Sequence, residues 1–96
     1  MSRYAAGRRK EWQARKELER LGASLVVRSA GSKGLVDLVA VIEHTVYLVQ
    51  VKYCGRGVGW EDRNWRKLRA LKLAPFVQPI AIVYRRGIKQ PTYHIV

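Results

Sequence analysis

Leu35-Val36-Asp37-Leu38-Val39-Ala40-Val41-Ile42-Glu43-His44-Thr45-Val46-Tyr47-Leu48-Val49-Gln50-Val51-Lys52-Tyr53 is two apolar, β-branched runs separated by a polar pair. Runs of this composition predict strands over 35–42 and 45–53, joined by a tight hairpin at Glu43-His44. Both are nearly continuously apolar, the pattern of strands covered on both faces, as in a sheet sandwiched by helices. Asp37, Gln50 and Lys52 break it. Side chains alternate along a strand, so Gln50 and Lys52 project to the same face, about 7 Å apart, while Val49 and Val51 face the other way. Asp37 lies as far from the turn as the Gln50–Lys52 end does, so the hairpin brings it beside them.

Upstream, residues 4–21 read as a helix rich in Ala, Arg, Lys, Glu and Leu, closed by Gly22 at C′. At about 100° per residue, Tyr4, Glu11 and Leu18 share one line, with Gly7, Ala14 and Leu21 beside them, and the remaining polar residues cover the rest of the circumference. Glu11 therefore points inward, and the helix is expected to lay it over the face carrying Asp37, Gln50 and Lys52. A short strand at 23–28 and a small-residue loop at 29–34 follow the helix. Downstream come a Gly-rich loop at 54–59 carrying Arg56 and a helix at 60–73 with Trp65, Leu68 and Leu71 on its apolar side, stopped by Pro75. Strands at 77–84 and 91–96 flank a basic turn, Arg85-Arg86-Gly87. The expected order is α-β-β-β-α-β-β in one α/β domain spanning 1–96, without repeats or linkers.

A chain of 96 residues supports one modest core and not two. With 48% hydrophobic and 27% charged residues it falls outside the composition of disordered chains. Its 19 Lys and Arg against 7 Asp and Glu give a net charge of +12, so an acidic polymer is the expected partner. Nucleic acid fits better than a membrane, because no helix pairs the basic residues with a broad apolar face and no apolar run approaches a membrane span. Arg3, Arg8, Arg9 and Lys10 are followed by no apolar targeting segment, and the expected location is the cytoplasm. Cys54, the one cysteine, cannot form an internal disulfide. One Met, one Asn and one Cys make the chain poor in thermolabile residues, as in proteins of thermophiles.

Burying Asp37 or Lys52 alone would cost several kcal/mol, and the remedies are an opposite charge, a hydrogen-bond network or a metal ion. Hard oxygen donors from Asp37, the Gln50 amide and the Val51 main-chain carbonyl suit Mg²⁺, with Mn²⁺ as a substitute, and leave several waters bound. Such a metal yields a nucleophilic water and neutralises charge on a phosphate, while Lys52 orients that water or stabilises the transition state. Glu11 is placed to bind a metal-ligated water or a second ion. The chemistry expected is phosphodiester hydrolysis.

Asp37 followed after a hairpin by Gln50-Val51-Lys52 resembles the PD-(D/E)XK nuclease signature, and the element order resembles that superfamily's αβββαβ core. More narrowly, Gly7-x-x-x-Glu11, Val26-Val27-Arg28, the loop with Gly31-Ser32-Lys33, and Asp37 look like archaeal Holliday-junction resolvases, through Lys52. The resemblance implies a restriction-endonuclease-like fold, with a mixed central sheet flanked by helices, and an active site of Glu11, Asp37, Gln50 and Lys52. It further implies a loop-serine role for Ser32 or Ser29, a DNA-backbone contact by Arg28, and a homodimer that cuts four-way DNA junctions with Mg²⁺. Three positions depart from the pattern: Val36 stands for the Pro before the Asp, Gln50 for the second acid, and Trp12 for the Arg after the helix Glu. Arg8, Arg9, Arg28, Lys33, Arg56, Arg63 and Arg66 are the expected phosphate contacts, which set affinity and salt dependence rather than sequence preference.

Plainer readings exist for each residue. Asp37 alone suits a hydrogen-bonded strand residue, Glu11 suits an ion pair with Arg8 or Arg15, and Trp12, Trp60 and Trp65 suit core or dimer contacts. His44 and His94 receive no role. As a whole, the chain also fits a nuclease-fold DNA-binding module silenced at Gln50, or a nickase or flap nuclease using the same residues. A small basic RNA-binding protein of ribosomal type would leave the inward Glu11 and the Asp37/Lys52 pair unexplained.

Overall fold

Helix α1 (Arg3–Arg20) leads into β1 (Ala23–Arg28), β2 (Leu38–Ile42) and β3 (Thr45–Cys54); α2 (Arg63–Arg69) then crosses to β4 (Val77–Arg85), and β5 (Thr92–Ile95) closes the sheet. The computed structural model describes the backbone of residues 3–29 and 35–95 and the side chains of 9–29 and 35–95. The five strands lie in the order β1-β2-β3-β4-β5. All neighbours are antiparallel except β3 and β4, the parallel pair that α2 connects. A parallel pair needs such a crossover, and the 55–76 stretch supplies it with one short helix.

Apolar side chains pack on both faces of this one sheet. On one, Ala14 and Leu18 of α1 pack with Val26, Leu38, Ala40, Val49, Ile80, Ile82 and Tyr84. On the other, Trp65 and Leu68 of α2 pack with Ala81 and Val83, joined by Val36, Leu48, Cys54 and Trp60. β3 and β4 are thus covered on both sides, which is why their sequences lack polar alternation. Because α2 is short, its cover does not extend to β1, where Leu25 and Val27 remain 55% and 47% exposed.

Several expected boundaries move. β2 begins at Leu38 rather than 35, because Asp37 turns its carboxylate into the ladder. The second helix spans Arg63–Arg69 instead of 60–73. Asp62 is extended (φ −123°) and its carboxylate accepts the Trp65 N–H, so the helix starts after it. Its end follows from packing: Trp65 and Leu68 are buried but Leu71 is 47% exposed, so no apolar contact supports a further turn. Leu21, expected on the inward line of α1, is likewise 47% exposed and lies in the turn after the helix, where Gly22 takes φ +101°. The side chain of Tyr4 and the burial of Gly7, both expected on that same line, lie outside the described residues, as does residue 96, the expected last position of the closing strand. Glu43 and His44 form the expected two-residue hairpin, with Glu43 in the left-handed region at φ +53°.

Candidate functional site

The register Leu38↔Val49 places the preceding residue of the chain, Asp37, across from Gln50. Regular pairing ends there. The Asp37 N–H donates to the Val49 carbonyl (2.8 Å), its carbonyl accepts from the Ser29 N–H (2.9 Å), and its Oδ2 accepts from the Val51 N–H (2.8 Å). A side-chain oxygen stands where the β2 backbone would have continued the ladder. In a strand, the N–H and C=O of one residue leave on the same edge, so the Val51 carbonyl also points toward Asp37, beyond the last β2–β3 pair.

Gln50 is 1% exposed. Its Nε2 donates to the Leu35 carbonyl at 2.8 Å, and its Oε1 is buried with no hydrogen-bond partner among the described residues. A buried acceptor left unpaired costs about 1–3 kcal/mol, and such groups in a native fold call for an explanation. Lys52, two residues on and on the same face, is ion-paired with Asp62. Asp62 was missed from sequence; the available signal was an Asp three residues before the buried Trp65, which is how an N-cap reads.

Glu11 does not join this set. It carries an ion pair with Arg28 (3.5 Å) and lines a groove of about 370 Å³ with Arg9, Trp12, Arg15, Arg28 and Leu38. Leu38 and Val49 belong to the α1 core, and Gln50 and Lys52 alternate with Val49 and Val51 to the α2 side. The expectation that α1 would lay Glu11 over Gln50 and Lys52 is therefore corrected: the inward phase of Glu11 holds, but toward the opposite face. Arg28 links the two, pairing with Glu11 while its positive charge also acts on Asp37.

The other expected contacts are dispersed. Ser32 and Lys33 lie outside the described residues, as does the side chain of Arg8. Ser29, the alternative loop serine, is half-buried and holds Asp37 through its backbone. Arg9 is exposed, and Arg63 and Arg66 are exposed on α2. Arg56 donates to the Arg86 and Gly87 carbonyls (3.4 and 3.5 Å), so it braces the β4–β5 turn. Of the tryptophans, Trp65 is core, Trp60 packs edge-on against it (5.2 Å) and on His94 (4.6 Å), and Trp12 is 61% exposed beneath the Lys16 ammonium. His44 is exposed in the hairpin turn.

Burial pushes the Asp37 carboxyl above its usual range and Asp62 adds to that, outweighing the Val51 N–H, Lys52 and Arg28. Burial also pushes Asp62 up, but Lys52 and the Trp65 amide together hold it below the usual carboxylate range. For Asp37 the sign is that of a destabilising charge. With its folded pKa above the unfolded one, the ionised carboxylate weakens the fold at neutral pH, and the cost disappears as pH falls through the folded value. Asp37→Asn, which keeps an oxygen for Val51, is therefore expected to raise the Tm of the metal-free chain at neutral pH. Thermal melts from about pH 8 down to about pH 4 should show the gap closing, and a lower Tm for the variant throughout would refute the assignment.

The oxygen donors gathered at this end of the sheet are the Asp37 carboxylate, Gln50 Oε1 and the Val51 carbonyl, a hard set that suits a divalent cation such as Mg²⁺. Among the described residues no group of three or more His, Cys, Asp and Glu side chains is placed to hold a metal, so a site here would depend on the amide and main-chain oxygens. Comparison of the chain with known protein families, curated proteins and solved structures found no match.

Proposed function

We propose that the chain is a Mg²⁺-dependent DNA endonuclease of the PD-(D/E)XK kind, acting as a homodimer on branched DNA, with four-way junctions as the leading substrate. The observation that carries this reading is the buried Oε1 of Gln50, unpartnered among the described residues, at the strand position opposite Asp37 and on the same face as Lys52. The element order supports it: three antiparallel strands after a helix, then a helical crossover to a parallel fourth strand, is the arrangement a restriction-endonuclease-like core requires.

Mg²⁺, or Mn²⁺ in its place, would supply a bound water of lowered pKa and neutralise charge developing on the phosphate. Asp37, Gln50 Oε1 and the Val51 carbonyl are the residues to hold it. Lys52 donates to the scissile phosphate, where a fixed ammonium stabilises the transition state more than the ground state. Arg63 and Arg66, exposed on the helix whose cap holds Lys52, contact the flanking backbone, and the charge of +12 draws the polyanion in. One chain offers one such site, so paired cuts across a junction need two copies related by a twofold axis.

The test is a labelled four-way junction beside linear duplex, flap and single strand, incubated with Mg²⁺, Mn²⁺ or EDTA. Paired, symmetric, metal-dependent nicks are expected on the junction. Gln50 in place of an acid, and Lys52 already paired, favour one other reading, a nuclease-fold DNA-binding module without catalysis. Tight binding with no cutting under either metal would select it.

A further inference from the structure

Counted by charge, Asp37, Gln50 and Lys52 form a poor cation site. Asp37 brings one negative charge, Lys52 one positive and Gln50 none, and a neutral set attracts a divalent ion weakly. Asp62 changes that sum. It lies off β3, at the N-cap of α2, with Oδ1 accepting the Trp65 N–H at 2.9 Å and Oδ2 ion-paired with Lys52. Trp65 is 3% exposed and anchors α2 to the sheet, so the cap fixes the carboxylate in place. Lys52 directly follows Val51, whose N–H is held by Asp37. Asp37 and Asp62 are therefore tied to consecutive residues of β3, Val51 and Lys52, next to Gln50, whose buried Oε1 has no hydrogen-bond partner among the described residues. The Asp62 side chain is 47% exposed, which leaves one side open to water, and Mg²⁺ ordinarily keeps several waters.

We propose that Asp62 is the second carboxylate of this site, supplying from the helix cap the negative charge that position 50 lacks, so that Asp37, Asp62 and Gln50 Oε1 together retain a divalent cation. The proposal rests on the cation site of the reading above. Lys52 is the counter-ion that balances Asp62 in the metal-free chain, which ties the lysine needed at the phosphate to the acid needed at the cation.

The experiment measures Mn²⁺ binding to the full chain without DNA, by the electron paramagnetic resonance signal of free Mn²⁺. It compares wild type, Asp37→Asn, Asp62→Asn and the double variant Gln50→Glu/Asp62→Asn. Asn caps a helix as well as Asp does, so Asp62→Asn removes the charge and keeps the acceptor; Asp62→Ser is a second variant with the same logic. Both should weaken Mn²⁺ binding about 10-fold or more with little change in the metal-free Tm. The double variant, which moves the acid back to β3, should recover most of that loss. If both Asp62 variants bind as wild type while Asp37→Asn does not, Asp62 is only a cap and counter-ion, and the cation site stands without it. If Asp37→Asn also binds as wild type, or wild type binds no Mn²⁺, the cation site itself falls and this proposal with it.

Discussion

Lys52→Met should slow metal-dependent cleavage of a four-way junction about 10²–10³-fold, the usual loss when one preorganised donor to a developing anion is removed. Met keeps the length and apolar stem of the lysine and removes only the ammonium. The Lys52 side chain is 19% exposed, so its charge acts in a setting screened less than bulk water. The loss should appear in single-turnover rate rather than in junction affinity, because one ammonium among 19 Lys and Arg contributes little to holding a polyanion. Stability should change little, since the partner, Asp62, is 47% exposed and pairs of that kind contribute weakly. A variant that cuts at the wild-type rate would reduce Lys52 to a counter-ion of the helix cap.

The hairpin half of this site is legible in the sequence. Asp37 and the Gln50–Lys52 end are equidistant from Glu43-His44, and strand alternation alone puts Gln50 and Lys52 on one face; the register Leu38↔Val49 follows from the two-residue turn. Helical phase also identifies Glu11 as inward. It does not say toward which face of the sheet, because β4 and the first half of β3 are apolar on both sides and either face would accept the Ala14–Leu18 stripe. The phase of Glu11 is therefore compatible with either face, and only the packing of α1 fixes it opposite Gln50 and Lys52. Asp62 was hidden differently: extending the second helix back to Trp60 puts it in the first turn, where an acid is unremarkable, whereas as N-cap it becomes a fixed carboxylate beside Lys52. The unpartnered Oε1 of Gln50 had no sequence signal, since it depends on Nε2 finding the Leu35 carbonyl across the strand gap.

Gln50→Glu separates a cation site from a packed amide. At a position 1% exposed, the amide nitrogen donates to the Leu35 carbonyl at 2.8 Å, and an ionised carboxylate has no donor to replace it. Two oxygens then oppose each other in a buried site, and the metal-free variant should lose about 2–4 kcal/mol. In a domain of this size each kcal/mol moves Tm by about 4–8 °C, so a drop of roughly 10 °C or more is expected at neutral pH. The pH dependence has a definite sign. Burial and the missing donor raise the folded-state pKa of the new carboxyl above its unfolded value, so the cost is full above the folded pKa and fades as pH falls through it, when the protonated acid regains a donor for Leu35. Mg²⁺ should relieve the same cost at neutral pH by binding the folded state, raising the variant's Tm more than the wild type's. Melts at neutral and acidic pH, with Mg²⁺ and with EDTA, read both effects. Recovery with acid but not with Mg²⁺ would mean that Gln50 clamps the chain at Leu35 and faces no cation. Recovery with both would place position 50 against the metal, and cleavage by the variant should then need less Mg²⁺ than the wild type does.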